Sequence, residues 1–437
     1  TFEHIDVPPT LVSFAVTTGK TGEVVSPEFK AAGHKVVLLS PAYDENGLPV
    51  TASLLSVFAE VTALLRSGKA VAAYTPGFGG VAEAVMKMCF GNMIGFRYAD
   101  GTSSEELFGY RYGAFVLELA EDIPVGKTLG VTTDRADISL GFEHIFLSEL
   151  LRVYEDKLEP VYACNIPAPQ ESVPTFTCRA VNELVCSAPV ARPKVLIPVF
   201  PGTNCEYDTA KAFAAAGADP EIYVIRNRTA DEVARAAEEF AAKVGESQIV
   251  FIPGGFSGGD EPDGSGKFIT AFFRGERVKE EITRLLEVRD GLMGGICNGF
   301  QALIKLGLVP YGRIIETDEN CPTLTYNNIA RHQSRIVRVR VASAKSPWLA
   351  GVEAGDIFSV PISHGEGKFV ASSDLIEKLA ENGQIMTQYV DLNGNATMDV
   401  HFNPNGSAAA IEGILSPDGR VFGKMGHSER KGYGLYR

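Results

Sequence analysis

Residues 294–301 read Gly294-Gly295-Ile296-Cys297-Asn298-Gly299-Phe300-Gln301, and a further apolar stretch, 302–306, runs up to Gly307. The pattern predicts a strand, a sharp turn on the cysteine, and a helix that ends at the glycine. A side chain on such a bend projects from the fold. Glycines at 295 and 299 remove β-carbons that would crowd a tetrahedral intermediate, and the helix N-terminus aims its dipole and free amides at the sulfur. Enzymes place a nucleophile this way, so an exposed, ionisable thiol is expected at Cys297. The competing reading is a small buried core residue, the usual fate of a free cysteine.

Upstream of this turn, strand-like and helix-like stretches alternate. Apolar runs at 194–200, 221–225 and 248–252 are separated by helical patterns at 206–216 and 229–243, and a third helical pattern, 277–286, leads into the strand before Cys297. Such alternation means βαβ crossovers and a doubly wound, mostly parallel α/β sheet, whose ligands gather at the strand C-termini. The glycine turn Gly254-Gly255-Phe256-Ser257-Gly258-Gly259 then shares a crevice with Cys297. Beyond Arg335 the texture changes to short strands, with Ser416-Pro417-Asp418-Gly419 turning a hairpin between 408–415 and 420–425. The proline-rich segment 189–193 reads as a linker between an α+β region, 1–188, and the α/β region, 194–437. In the first region strands are expected at 35–39, 70–74 and 113–119, and helices at 52–66 and 81–89.

The 437 residues carry a formal charge of −14 and no concentrated basic patch, which argues against nucleic acid or an anionic membrane as partner. Arg331, Arg335, Arg338 and Arg340 interleave with Ile336, Val337, Val339 and Val341, and read as the solvated face of a half-buried strand. Seven cysteines without a CxxC pair or a zinc spacing predict neither a disulfide framework nor a metal site. With no leader or membrane span apparent, a cytoplasmic location is expected. The chain opens on Thr1 in what reads as mid-domain sequence, so a fragment of a longer protein is expected.

A thiol that attacks an amide needs a base, a group that orients the base, and donors for the oxyanion. His-x-Glu occurs twice, as His364-Gly365-Glu366 and His427-Ser428-Glu429, and residues two apart share a face of an extended segment. His427 follows a regular hairpin strand and is favoured as base, with Glu429 as orienter. His364 and Glu366, set among glycines, are assigned to the substrate side or to support. The backbone amides of Gly255 and Asn298 are the expected oxyanion donors, while Gln301 either holds substrate or packs the turn. In the first region, the glycine turn 75–80, with Gly77, Gly79 and Gly80, either cradles a phosphate or is simply a tight turn.

These motifs resemble the class I (triad) glutamine amidotransferases. Together with Phe200-Pro201-Gly202-Thr203-Asn204-Cys205-Glu206 and Ser363 to Phe369 they are similar, more narrowly, to the glutaminase part of the phosphoribosylformylglycinamidine synthase family. The resemblance implies a flavodoxin-like glutaminase fold and a Cys297–His427–Glu429 triad, with Phe256 and Ser257 on the glutamine side. It also implies ammonia as the product that matters. Val7-Pro8-Pro9-Thr10-Leu11, residues 33–39 and Pro76 to Glu83 look like the C-terminal lobe of a synthetase half, as in aminoimidazole ribonucleotide synthetase. On this resemblance no cofactor serves the glutaminase, and ATP and Mg are bound mostly by upstream synthetase domains that receive the ammonia. Ser428 departs from the family's usual proline. Two other readings remain: an inert docking module on the same fold, and a different cysteine hydrolase such as a peptidase.

Overall fold

The computed structural model describes residues 11–161, 172–180, 186, 189–257, 265–430 and 432. Positions 7–10, 187–188 and 258–260, which figured in the sequence reading, lie outside them. The chain divides into two compact units, Thr1–Tyr162 and Ala163–Arg437. This division falls earlier than the 189–193 segment expected as linker. Residues 172–180 pack on the second unit: the Cys178 amide donates to the Ala342 carbonyl at 2.7 Å and the Phe176 amide to Gln388 Oε1 at 2.8 Å.

In the first unit, β1 (Lys35–Leu39), β2 (Ala70–Tyr74), β3 (Gly95–Tyr98), β4 (Phe115–Leu119), β5 (Lys127–Thr133), β6 (Asp137–Leu140) and β7 (Glu143–Phe146) form one sheet in the order β2-β4-β1-β5-β3-β6-β7. Its pairings are antiparallel apart from β3 with β6. The helices are α1 (Thr51–Arg66), α2 (Gly80–Phe90), α3 (Ser104–Phe108) and α4 (Leu147–Asp156). Residues three or four apart on a helix share a face. Accordingly Val57, Val61 and Leu64 of α1 join one apolar cluster of the sheet, while Val81, Ala84, Val85 and Met88 of α2 join another.

The second unit begins with β8 (Lys194–Val199), α5 (Glu206–Ala215), β9 (Asp219–Val224), α6 (Ala230–Glu246) and β10 (Ile249–Ile252). There follow α7 (Lys267–Arg274), α8 (Glu276–Glu287), β11 (Leu292–Ile296), α9 (Asn298–Leu306) and α10 (Leu308–Tyr311). It ends with β12 (Thr323–Tyr326), β13 (Gln333–Val341), β14 (Ile357–His364), β15 (Glu366–Val370), α11 (Ser373–Glu381), β16 (Ile385–Tyr389), β17 (Ile411–Leu415) and β18 (Val421–Lys424). Nine of these strands form one sheet, ordered β14-β13-β16-β17-β18-β11-β10-β8-β9. The run from β18 to β9 is parallel and the run from β14 to β18 antiparallel. The expected doubly wound α/β sheet is therefore present, and the hairpin strand β18 enters it as the neighbour of β11. In β13, Val337, Val339 and Val341 are buried while Arg338 and Arg340 lie on the other face, the alternation expected there; Ile336 is exposed. No helix among the described residues is long and apolar enough to cross a membrane.

The second core extends over the sheet and into α9, whose Phe300, Ala302, Leu303, Ile304 and Leu306 are all buried. Such close approach of helix to sheet needs glycine at two points. A β-carbon on Gly299 would lie 2.0 Å from the Ile252 carbonyl oxygen, and one on Gly295 would lie 2.7 Å from the Gly299 carbonyl carbon. These glycines therefore seat α9 on β10 and β11, a packing role in place of the expected clearance around an intermediate.

Candidate active site

Cys297 caps α9 at φ 53° and ψ −107°, a backbone region that costs a non-glycine residue on the order of 1–3 kcal/mol. The strand–turn–helix bend is thus where the sequence put it. Its exposure is not: Cys297 is 3% exposed, so the expectation of an open thiol is corrected. The thiol faces the Ser363 carbonyl at 3.7 Å. Burial is the main cause that pushes its pKa up to about 12, with the nearby Cys205 and Glu429 adding to it, while the Asn298 amide and Arg430 pull the other way. Desolvation here outweighs the helix amides that were expected to favour a thiolate.

Because β18 lies parallel to β11, with Ile296 opposite Lys424, the chain leaving β18 emerges beside Cys297. The Cys297 amide donates to the Lys424 carbonyl at 2.8 Å, fixing that register. Two residues past Met425 comes His427, buried, with its amide on the Pro361 carbonyl at 2.8 Å. His427 Nδ1 meets Glu429 Oε1 at 2.6 Å, and Nε2 has no hydrogen-bond partner among the described residues. A ring held by a carboxylate through one nitrogen, with the other nitrogen vacant, is the arrangement of a general base. Gly254 makes room for it, since a β-carbon there would sit 2.6 Å from His427 Cε1.

The second His-x-Glu pair is built differently. His364 ends β14, is fully enclosed, and among the described residues has Asn327 Oδ1, 3.2 Å from its Nδ1, as its side-chain hydrogen-bond partner. Burial, followed by the charges of His427 and His332, pulls its pKa down to about 3. The Glu366 carboxylate accepts from the Ser265 amide at 3.0 Å, and the Glu366 carbonyl accepts from Gln301 Nε2 at 2.5 Å. Gln301 Oε1 in turn accepts from Asn298 Nδ2 at 2.9 Å, so Gln301 packs the turn. Asn298 Oδ1 takes both the hydroxyl of buried Ser257, at 2.6 Å, and its amide, at 3.2 Å. The Ser257 and Gln301 side chains thus brace the turn at Cys297. Phe256 is the exposed neighbour, its ring 5.8 Å from that of His332. Gly255, at φ 151°, lies against Gly202 and Thr203, where a β-carbon would come within 2.6 Å of backbone.

Three residues were given no role of their own in the sequence reading. Cys205, at the start of α5, lies 3.9 Å from His427 Nδ1 and accepts from Arg430 Nη2 at 3.0 Å. Its position after a parallel strand, where such sheets collect ligands, was the available signal. Glu412 on β17 is buried and accepts the Gly426 amide at 2.6 Å, bracing the segment that carries His427; nothing local in the sequence marks it. Lys424 donates to Ser428 Oγ at 2.8 Å, so the side chain at the position that departs from the resemblance is engaged.

In the first unit the glycine turn is already filled. The Gly79 amide donates to Glu83 Oε2 at 2.7 Å, and Glu83 pairs with Lys87 at 2.5 Å. A β-carbon on Gly80, at φ 67°, would meet the Leu107 carbonyl oxygen at 2.6 Å. A carboxylate of α2 occupies the amide that a phosphate would need, and the tight packing against α3 accounts for Gly80. Of the two readings of Gly77, Gly79 and Gly80, this geometry is that of a tight turn whose Gly79 amide is already taken by Glu83.

The fold of the second unit is that of a glutamine amidotransferase domain. Residues 192–436 match the family described as CobB/CobQ-like glutamine amidotransferase domain, and the chain belongs to that family. Among its relatives are phosphoribosylformylglycinamidine synthase subunits PurQ. That of Methanococcus maripaludis is 35% identical over 56% of this chain and 84% of the relative, and that of Salinibacter ruber 32% identical over 54% and 86%. The solved structure of PurLQS from Thermotoga maritima aligns at 27% identity and a TM-score of 0.40, over 55% of this chain and 89% of that one.

Proposed function

We propose that the second unit hydrolyses glutamine with Cys297 as nucleophile, His427 as base and Glu429 as the group that orients it. In the proposed sequence, the thiol proton passes to His427 Nε2 as sulfur attacks the side-chain amide. The Glu429 carboxylate stabilises the imidazolium through Nδ1–H, and the Gly255 and Asn298 amides receive the oxyanion. Ammonia leaves with the proton from His427, and water then releases glutamate from the thioester. The ammonia serves the amidation of formylglycinamide ribonucleotide in purine biosynthesis, the reaction that names the relatives, on a synthetase that uses ATP and Mg. This chain is then the C-terminal portion of that enzyme, with the first unit as the end of its synthetase half.

The observation that carries the reading is the 2.6 Å His427–Glu429 contact together with an Nε2 that has no hydrogen-bond partner among the described residues, on the segment that leaves the strand beside β11. Loss of glutamine hydrolysis in Cys297→Ala is the test, and undiminished turnover there would end the assignment. A second reading, an inert docking module, draws support from the sealed, protonated Cys297. Selective labelling of Cys297 by a glutamine-like electrophile separates the two, since only a working triad activates that sulfur.

A further inference from the structure

Cys205 has no part in the chemistry above, yet it lies against the face of His427 that the chemistry keeps away from Cys297. Its Sγ, His427 Nδ1 and a Glu429 carboxylate oxygen lie within 4.8 Å of one another, all three residues buried. Sulfur, imidazole and carboxylate are the donors that zinc prefers. With tetrahedral bonds of the usual lengths, a zinc ion holds a sulfur and a nitrogen about 3.6 Å apart, close to the 3.9 Å between Cys205 Sγ and His427 Nδ1. Glu429 supplies an independent sign of an unmet ligand. Its Oε2 is buried and has no hydrogen-bond partner among the described residues. Gly254 forms the floor that lets the donors converge, since a β-carbon there would lie 3.1 Å from Cys205 Sγ and 2.6 Å from the imidazole.

We infer that Cys205, His427 and Glu429 form a binding site for a thiophilic divalent cation such as zinc, and that its occupancy switches the base off. Binding needs the Arg430 guanidinium, which now donates to Cys205 Sγ at 3.0 Å, to swing away; Arg430 is only half-buried. The thiol gives up its proton to solvent and sulfur bonds the metal. Metal on Nδ1 takes the lone pair there, so the imidazole proton moves to Nε2. A nitrogen that carries its proton cannot accept one from Cys297, and the Glu429 carboxylate is diverted to the ion. The inhibitory consequence rests on the proposed role of His427; the binding itself does not.

Cobalt(II) titration of the full chain tests the site directly, because a thiolate ligand gives cobalt a near-ultraviolet charge-transfer band whether or not the chain hydrolyses glutamine. The expected result is one ion per chain, displaced by zinc, with one proton released per ion by calorimetry in two buffers. The band is retained in Cys297→Ala and lost in Cys205→Ala, and Glu429→Gln weakens binding at least about tenfold. Zinc should lower glutaminase turnover reversibly by chelator, and Cys205→Ala should lose that sensitivity relative to its own metal-free rate. A band that survives Cys205→Ala and vanishes in Cys297→Ala would make the nucleophile the ligand and overturn the assignment, as would no band at all. Binding without inhibition would keep the site and overturn the switch.

Discussion

Lowering the pH should destabilise the second unit through His364 in a way that one substitution removes. The ring is enclosed and its pKa falls from 6.5 to about 3, chiefly because burial disfavours the cation. In the unfolded chain the same ring titrates near its ordinary value. Between these two values the unfolded state binds a proton that the folded state refuses, so the contribution to stability is complete above about pH 6.5 and is lost as pH falls toward 3. At 1.36 kcal/mol per unit, His364 alone removes about 2 kcal/mol between pH 7 and pH 5. Urea unfolding at the two pH values measures this. Fluorescence of Trp348, the chain's one tryptophan, reports the second unit, since its ring packs 5.0 Å from Phe422 and 6.2 Å from Phe213. Wild type carries the His364 loss and His364→Gln does not, whatever its stability at pH 7. An equal pH 7-to-5 loss in both proteins would refute the reasoning, and with it the claim that burial keeps His364 from taking up a proton.

Two further outcomes follow from the same geometry. His427→Ala should cut glutamine turnover by roughly 10²–10⁴-fold and His364→Ala by far less, with kcat at saturating glutamine as the measure; the reverse order would move the relay to the 364–366 pair. Gly299→Ala should unfold the unit or cost more than about 3 kcal/mol in urea titration, because the new β-carbon would sit 2.0 Å from the Ile252 carbonyl oxygen; a loss below 1 kcal/mol would show that α9 can lift away freely.

Much of this arrangement was legible in the chain because it is local. The bend at Cys297 rests on glycines within a few residues, and the parallel sheet on strands and helices of ordinary length, so periodicity and turn chemistry sufficed for both. The burial of Cys297 was not legible, since the cover over its sulfur comes from Ser363, 66 residues away. Nor were Cys205 and Glu412, which reach the site only because β8, β10, β11, β18 and β17 lie side by side. The glycine turn of the first unit stayed open between two readings for a related reason. The same sequence serves an anion site or a tight turn, and Glu83, one helical turn on, decides which.

The sealed thiol constrains how the proposed reaction can begin. With a pKa near 12, forming an isolated Cys297 thiolate at pH 7 would cost roughly 7 kcal/mol. In the proposed relay the proton goes to His427 instead, whose imidazolium the Glu429 carboxylate would stabilise across the 2.6 Å contact and so offset part of that cost. Proton transfer and attack therefore belong to one step, and external base cannot replace His427. Raising the pH from 7 to 9 moves only about one part in a thousand of such a thiol to the thiolate, so His427→Ala should stay at least about 10²-fold below wild type across that range. Recovery of the variant to near wild-type turnover by pH 9 would mean that Cys297 ionises unaided, and that burial does not govern the nucleophile.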